Sequence, residues 1–208
     1  MGQRLLRFPF ESLASGLRRL RRDDRGIAAI EAAIVLPIMV FFLFGTIETY
    51  QYFRAAAILD RAVFSIADGV AMQPKLYEGG PCDETDHLCT YGVIMGDLMQ
   101  PIDYKDGGYL TIRLFEAQTS GSSVTWKNST WAKKCEGSTA ACGDIAAAPP
   151  PDGMPPAQPG DTILVVQGYQ TYEPYVISSR FWTGLGGTEV LTATAFYRPR
   201  FDDLKTLY

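Results

Sequence analysis

A chain of 208 residues, 47% hydrophobic and 20% charged, has room for one membrane helix and one modest domain. Its net charge of −4 is uneven: residues 1–26 carry seven Arg against Glu11, Asp23 and Asp24, a formal +4, which leaves −8 on the rest. A basic cluster that abuts an apolar run, in an otherwise acidic chain, argues against a nucleic-acid partner.

Residues 1–26 read as a cytoplasmic basic leader, in which Leu5, Leu6, Phe8, Leu13, Leu17 and Leu20 alternate with Arg, as in a surface-lying amphipathic helix. Residues 27–47 follow as 21 residues with Glu31 as the sole ionisable one. At ~1.5 Å per residue such a helix spans ~30 Å, the thickness of a bilayer's hydrocarbon core. No second run of that length exists, so the expected topology is single-pass in the inner (cytoplasmic) membrane. The Arg cluster places the N-terminus in the cytoplasm and the C-terminal bulk outside. A cleaved secretory signal fits poorly, because the apolar core is about twice the ~7–15 residues of an h-region. Ala55-Ala56-Ala57 lies well beyond that core, and the paired Arg residues lack the surroundings of a twin-arginine address.

Glu31 is the anomaly in this span. A carboxylate within a membrane helix costs roughly 2.5–3.5 kcal/mol on insertion scales, so it calls for a partner or a purpose. One reading has it reach the headgroups or Arg25. The other starts from its spacing: Arg25-Gly26, four residues, Glu31, then a long apolar helix. Gly26-x-x-x-Ile30-Glu31-x-Ala33-x-Val35-x-Pro37 resembles the opening signature of the TadE/TadF-like minor pilins (pseudopilins) of the tight-adherence (Tad) type IV-like pilus. The residue after the Glu, usually aromatic or otherwise apolar in that family, is here Ala32. The resemblance implies cleavage after Gly26 by a prepilin peptidase, with Ile27 as the new N-terminus. It also implies pairing of Glu31 with a neighbour's N-terminal amine to set helix register. The implied partners are that peptidase, other major and minor pilins, inner-membrane pilus assembly proteins and membrane lipid, with incorporation into the pilus and a part in cell adhesion. The alternative is a permanently anchored single-pass protein whose outer domain binds a ligand or partner.

Pro37 inside the span frees a carbonyl one turn earlier and predicts a helix kink, either with a packing role or without one. Residues 48–72 hold Tyr50, Phe53, Ala57, Ile58, Ala62, Phe64 and Ile66 among charged positions, which predicts a periplasmic, amphipathic continuation of the helix to about residue 72. Residues 73–208 form the extracytoplasmic domain. A helical turn is expected near 91–99, strands at 109–115, 123–131, 162–172 and 190–197, and a Pro-rich loop, 146–160, between the second and third strands. Pro-Gly-Asp before residue 162 and the Leu-Thr-Ala-Thr-Ala strand also look like the C-terminal part of TadE-like proteins. The expected fold class is α+β: a long N-terminal helix, membrane-spanning in its first half, packed on a small antiparallel sheet, pilin-like.

Cys82 and Cys89, then Cys135 and Cys142, each have six residues between them, wider than the ~2–4 of a zinc knuckle. Two local disulfides in an oxidising compartment are favoured, with crossed pairing left open. Asp83, Glu84, Asp86 and His87 could hold a metal ion but lack EF-hand spacing, so a solvated acidic loop without metal is favoured. Asn128-Ser129-Thr130 matches the glycosylation acceptor pattern, which is common by chance. Between the last two strands, Tyr175, Phe181 and Trp182 form either a cover for the sheet or a partner-contact lip, the cover being favoured. One His and no GxSxG, HExxH or phosphate-cradling loop leave no catalytic grouping, so neither enzyme activity nor a cofactor is expected.

Overall fold

The computed structural model describes residues 24–79, 82–102, 104, 107–136, 142–174 and 189–208, of which 24–27, 202 and 203 are described by backbone alone. In chain order the elements are helix α1 (Asp24–Ala71), helix α2 (Leu88–Leu98), strands β1 (Tyr109–Ser120), β2 (Ser123–Trp126), β3 (Trp131–Glu136), β4 (Cys142–Asp144), β5 (Thr162–Tyr172) and β6 (Glu189–Tyr197), and a 3-10 turn at Asp202–Lys205. The chain divides into two compact units, Met1–Ile47 and Glu48–Tyr208, and α1 contributes to both. The fold is α+β, a long apolar helix whose C-terminal part packs on a small antiparallel sheet.

In the second unit the sheet order is β4-β3-β1-β5-β6, with β2 folded back on the end of β1. All pairings are antiparallel. Side chains of a strand alternate between faces, and register carries that alternation across the sheet. Leu110, Ile112, Leu114, Leu164, Val166, Ala193 and Ala195 therefore share the face that meets α1. From α1 the matching residues are Ala55, Leu59, Ala62, Val63, Ile66 and Val70, spaced by three or four so that they form one stripe. Each large one adds about 1.5–3 kcal/mol relative to leaving it exposed. Gly168 in β5 sets how closely the helix approaches. A Cβ there would lie 2.5 Å from Val63 Cγ2 and 3.1 Å from Leu59 Cδ1.

The opposite face has its own small cluster of Phe115, Ile163 and Val165, joined by Trp126, Met154 and Phe196. The added strands correct the expected numbering around the Pro-rich loop. Residues 146–160 connect β4 to β5, the fourth and fifth strands, and Met154 packs on the back of the sheet while Trp126 Nε1 donates to the Pro155 carbonyl at 2.8 Å. The expected strand at 123–131 is likewise corrected, because it splits into β2 and β3. The Lys127 amide still reaches the Glu116 carbonyl at 3.0 Å and the Thr130 amide the Leu114 carbonyl at 2.7 Å. Four residues thus sit opposite two of β1, and the ladder breaks between them. The helical turn expected at 91–99 is a full helix, Leu88–Leu98.

The C-terminal segment returns to the end of α1. The Arg200 amide donates to the Ala71 carbonyl at 3.1 Å, Trp131 Nε1 to the Leu204 carbonyl at 3.0 Å, and the Tyr208 amide to the Leu76 carbonyl at 3.0 Å.

Candidate functional site

The first candidate surface is the apolar part of α1. From Ala28 to Phe44 its residues are exposed, and Phe44 is followed by the half-buried Gly45. Ile30, Ile34, Leu36, Met39 and Phe42 each show more than half of their surface, Met39 and Phe42 as much as 67%. In water such a surface would be unstable, whereas lipid or other apolar helices satisfy it. Ala28–Ala71 is the one helix among the described residues long and apolar enough to cross a membrane. Gly26 and Ile27 lie in its first turn, and Glu31 is exposed. The helical neighbours of Glu31, Ile27, Ala28, Ile34 and Val35, are all apolar, so the same helix offers the carboxylate no cation within a turn on that face. Pro37 is accommodated inside the continuous helix, and Thr46 Oγ1 donates back to the Phe42 carbonyl at 2.7 Å. Tyr175, Phe181 and Trp182 lie outside the described residues.

A second feature opens the unit Glu48–Tyr208. Glu48 is only 7% exposed, and Tyr172 OH donates to its Oε1. The Tyr52 ring stands edge-on to Tyr172, with centroids 5.3 Å apart. Burial, then the hydrogen bond and charge of Glu48, push the Tyr172 phenol above its ordinary range. Beside them lies an open cleft of about 940 Å³, lined by Arg54, Ile58, Pro101, Ile102 and Tyr172 among others. Neither the buried Glu48 nor this cleft had a sequence signal, because the partners are 124 residues apart.

The cysteines join locally, Cys82 to Cys89 and Cys135 to Cys142. The second bridge ties β4 to β3 and places Lys133 beside Asp144, whose Oδ1 is 2.6 Å from its Nζ. Glu78 pairs with the same ammonium. Lys133 is 2% exposed. Burial alone would lower its pKa, but the hydrogen bonds and charges of Asp144 and Glu78 outweigh this and hold it above the ordinary lysine value.

The first bridge closes the loop that carries the acidic residues. Of these the structure gathers Glu84, Asp86 and His87, whose side-chain ligand atoms all lie within 4.8 Å of one another. The Thr90 hydroxyl donates to the Glu84 carbonyl at 2.6 Å and Tyr91 OH to the Thr85 carbonyl at 2.8 Å, so the loop backbone is held from α2. Burial pushes the Tyr91 phenol up to about 12, which keeps it a donor.

Residues 26–68 match the family described as TadE-like protein. No protein of curated function and no solved structure matches the chain.

Proposed function

We propose that this chain, a TadE-like and membrane-anchored protein associated with the Tad pilus, is a minor pilin or pseudopilin, cleaved after Gly26 by a prepilin peptidase and built into the apparatus through its N-terminal helix. The observation that carries the proposal is Glu31, an exposed carboxylate five residues beyond Gly26 on a helix surface otherwise apolar. Cleavage would leave an α-ammonium on Ile27. In a low-dielectric bundle of helices the Glu31 carboxylate needs a cation, and the ammonium of a neighbouring subunit sits at the matching depth. Such a pair sets axial register as the subunit leaves the bilayer. In this role the protein is a substrate of the peptidase and a building block or initiator, with no catalysis of its own. Its partners are the other major and minor pilins and the inner-membrane assembly proteins. The expected topology is single-pass, with the N-terminus in the cytoplasm.

Replacing Glu31 by Ala tests the role directly. Chain level and membrane insertion should be maintained or improve, while the amount incorporated in sheared pili drops at least tenfold, about the effect of losing one buried ion pair's worth of register energy. Unchanged incorporation would remove the register role.

A second reading, a permanently anchored protein with a ligand-binding outer domain, rests on the cleft beside Arg54 and Tyr172. It requires that residues 1–26 stay attached and that Glu31→Ala be silent.

A further inference from the structure

The pilin-like role leaves the loop between Cys82 and Cys89 without a task, and three chemistry-bearing side chains converge there. His87 Nδ1 lies 2.8 Å from the Gly79 carbonyl oxygen. A carbonyl oxygen only accepts, so Nδ1 carries the proton and donates. In the neutral ring Nε2 then holds a lone pair, and it faces Glu84 Oε2 at 3.2 Å and Asp86 Oδ1 at 3.7 Å. The lone pair and the two carboxylates thus converge on one point, where a cation would be favoured.

The imidazole nitrogen and the two carboxylates lie within 4.8 Å of one another, close enough to share a single ion.

The ring is also set up as metal-binding histidines are. Its other nitrogen is fixed by a backbone carbonyl, which settles tautomer and orientation. The Tyr77 ring stacks on it, with centroids 5.5 Å apart and planes 27° apart. His87 is 9% exposed, whereas the carboxylates of Glu84 and Asp86 reach solvent, with side chains 62% and 40% exposed. One wall is therefore rigid and dry, and the open side admits an ion with its remaining water.

We propose that Glu84, Asp86 and His87 form a mononuclear site for a divalent cation of zinc type, bound through one imidazole nitrogen and two carboxylates with solvent completing the shell. The nitrogen ligand and the small number of oxygens disfavour calcium and magnesium. Binding holds the disulfide loop against the 76–79 segment, where the Tyr77 amide meets the Asp86 carbonyl at 2.8 Å and the Leu88 amide meets the Tyr77 carbonyl at 3.0 Å. Through the Leu76 and Leu207 bridge it also steadies the C-terminal segment.

The test uses the full chain in detergent, without a polyhistidine tag or reductant, stripped with a chelator and titrated with zinc chloride. Calorimetry and elemental analysis after gel filtration give affinity and stoichiometry. The wild-type chain should retain one zinc per chain and melt at higher temperature with it, and excess calcium or magnesium should not displace it. The E84Q/D86N double variant keeps His87 and its bond to Gly79, so the loop should fold as before. It should bind zinc at least about tenfold more weakly. His87→Ala should lose the site altogether. Wild-type protein that retains no zinc overturns the proposal. Equal zinc binding by wild type and E84Q/D86N overturns it as well, since the ion would then sit elsewhere. Neither result bears on whether the chain is cleaved after Gly26.

Discussion

Two stretches of α1 put the same kind of residue to opposite uses. Between Ala28 and Phe44 the apolar side chains are exposed all round, with no stripe singled out. Between Ala55 and Val70 apolar side chains at Leu59, Val63 and Ile66 are at most 2% exposed, while Phe64 on the other side of the helix is 58% exposed. A helix that is apolar all round belongs in lipid or among other helices, and one with a single apolar stripe belongs on a core. The difference teaches that the environment of each stretch is encoded by which face carries polar residues, since mean apolarity alone would treat both alike.

The comparison predicts unequal responses to mutation. Leu59→Asp should have the largest effect, because it buries an unpaired charge between helix and sheet. A loss of about 4–5 kcal/mol is expected, enough to unfold the unit Glu48–Tyr208, seen as protease sensitivity and lost near-UV circular dichroism. The matching change Ile34→Asp should impair membrane insertion and leave the protease resistance of the second unit intact. Removing both partners of Lys133 with E78Q/D144N should cost about 3 kcal/mol at neutral pH, since a buried ammonium is left uncompensated. The sign follows from its raised folded-state pKa. That stability is fully present below the ordinary lysine value of about 10.4 and is lost as pH rises through the folded-state value, so wild type and variant should converge in strongly alkaline urea melts. The smallest pair is Gly168→Ala against Gly45→Ala. The first places a Cβ 2.5 Å from Val63 Cγ2, and the second meets nothing within 4 Å. Thermal melts of the second unit should show a loss of about 1–2 kcal/mol for Gly168→Ala and no change for Gly45→Ala.

How far the fold was legible depended on whether a strand's partners lie on one face or two. In β1 and β6 the alternation is plain, because one face meets α1 and the other carries Tyr109, Thr111 and Arg113, or Thr192 and Thr194. In β5 the run Ile163 to Val166 is apolar throughout, since Leu164 and Val166 face α1 while Ile163 and Val165 face the cluster under Met154. Strand β3 was hidden by its charges. Lys133 looks like a surface residue until Glu78 and Asp144 are brought to it from either side. The Pro-rich loop has no periodicity to read, and it packs through one Met and one carbonyl. At the candidate sites the residue types were visible in the sequence: Gly26 and Glu31 by spacing, and the acidic loop by composition. What spacing could not convey was convergence, namely which three of the four acidic-loop residues meet, and that Glu48 lies buried under Tyr172.

The central claim is that this helix begins its working life at Ile27. Intact mass and N-terminal sequencing of the membrane-extracted protein, from cells with and without the prepilin peptidase, test it most directly. The account predicts a chain starting at Ile27 when the peptidase is present and at Met1 when it is absent. A chain starting at Met1 in both would contradict it and leave a permanent anchor in place of a pilin.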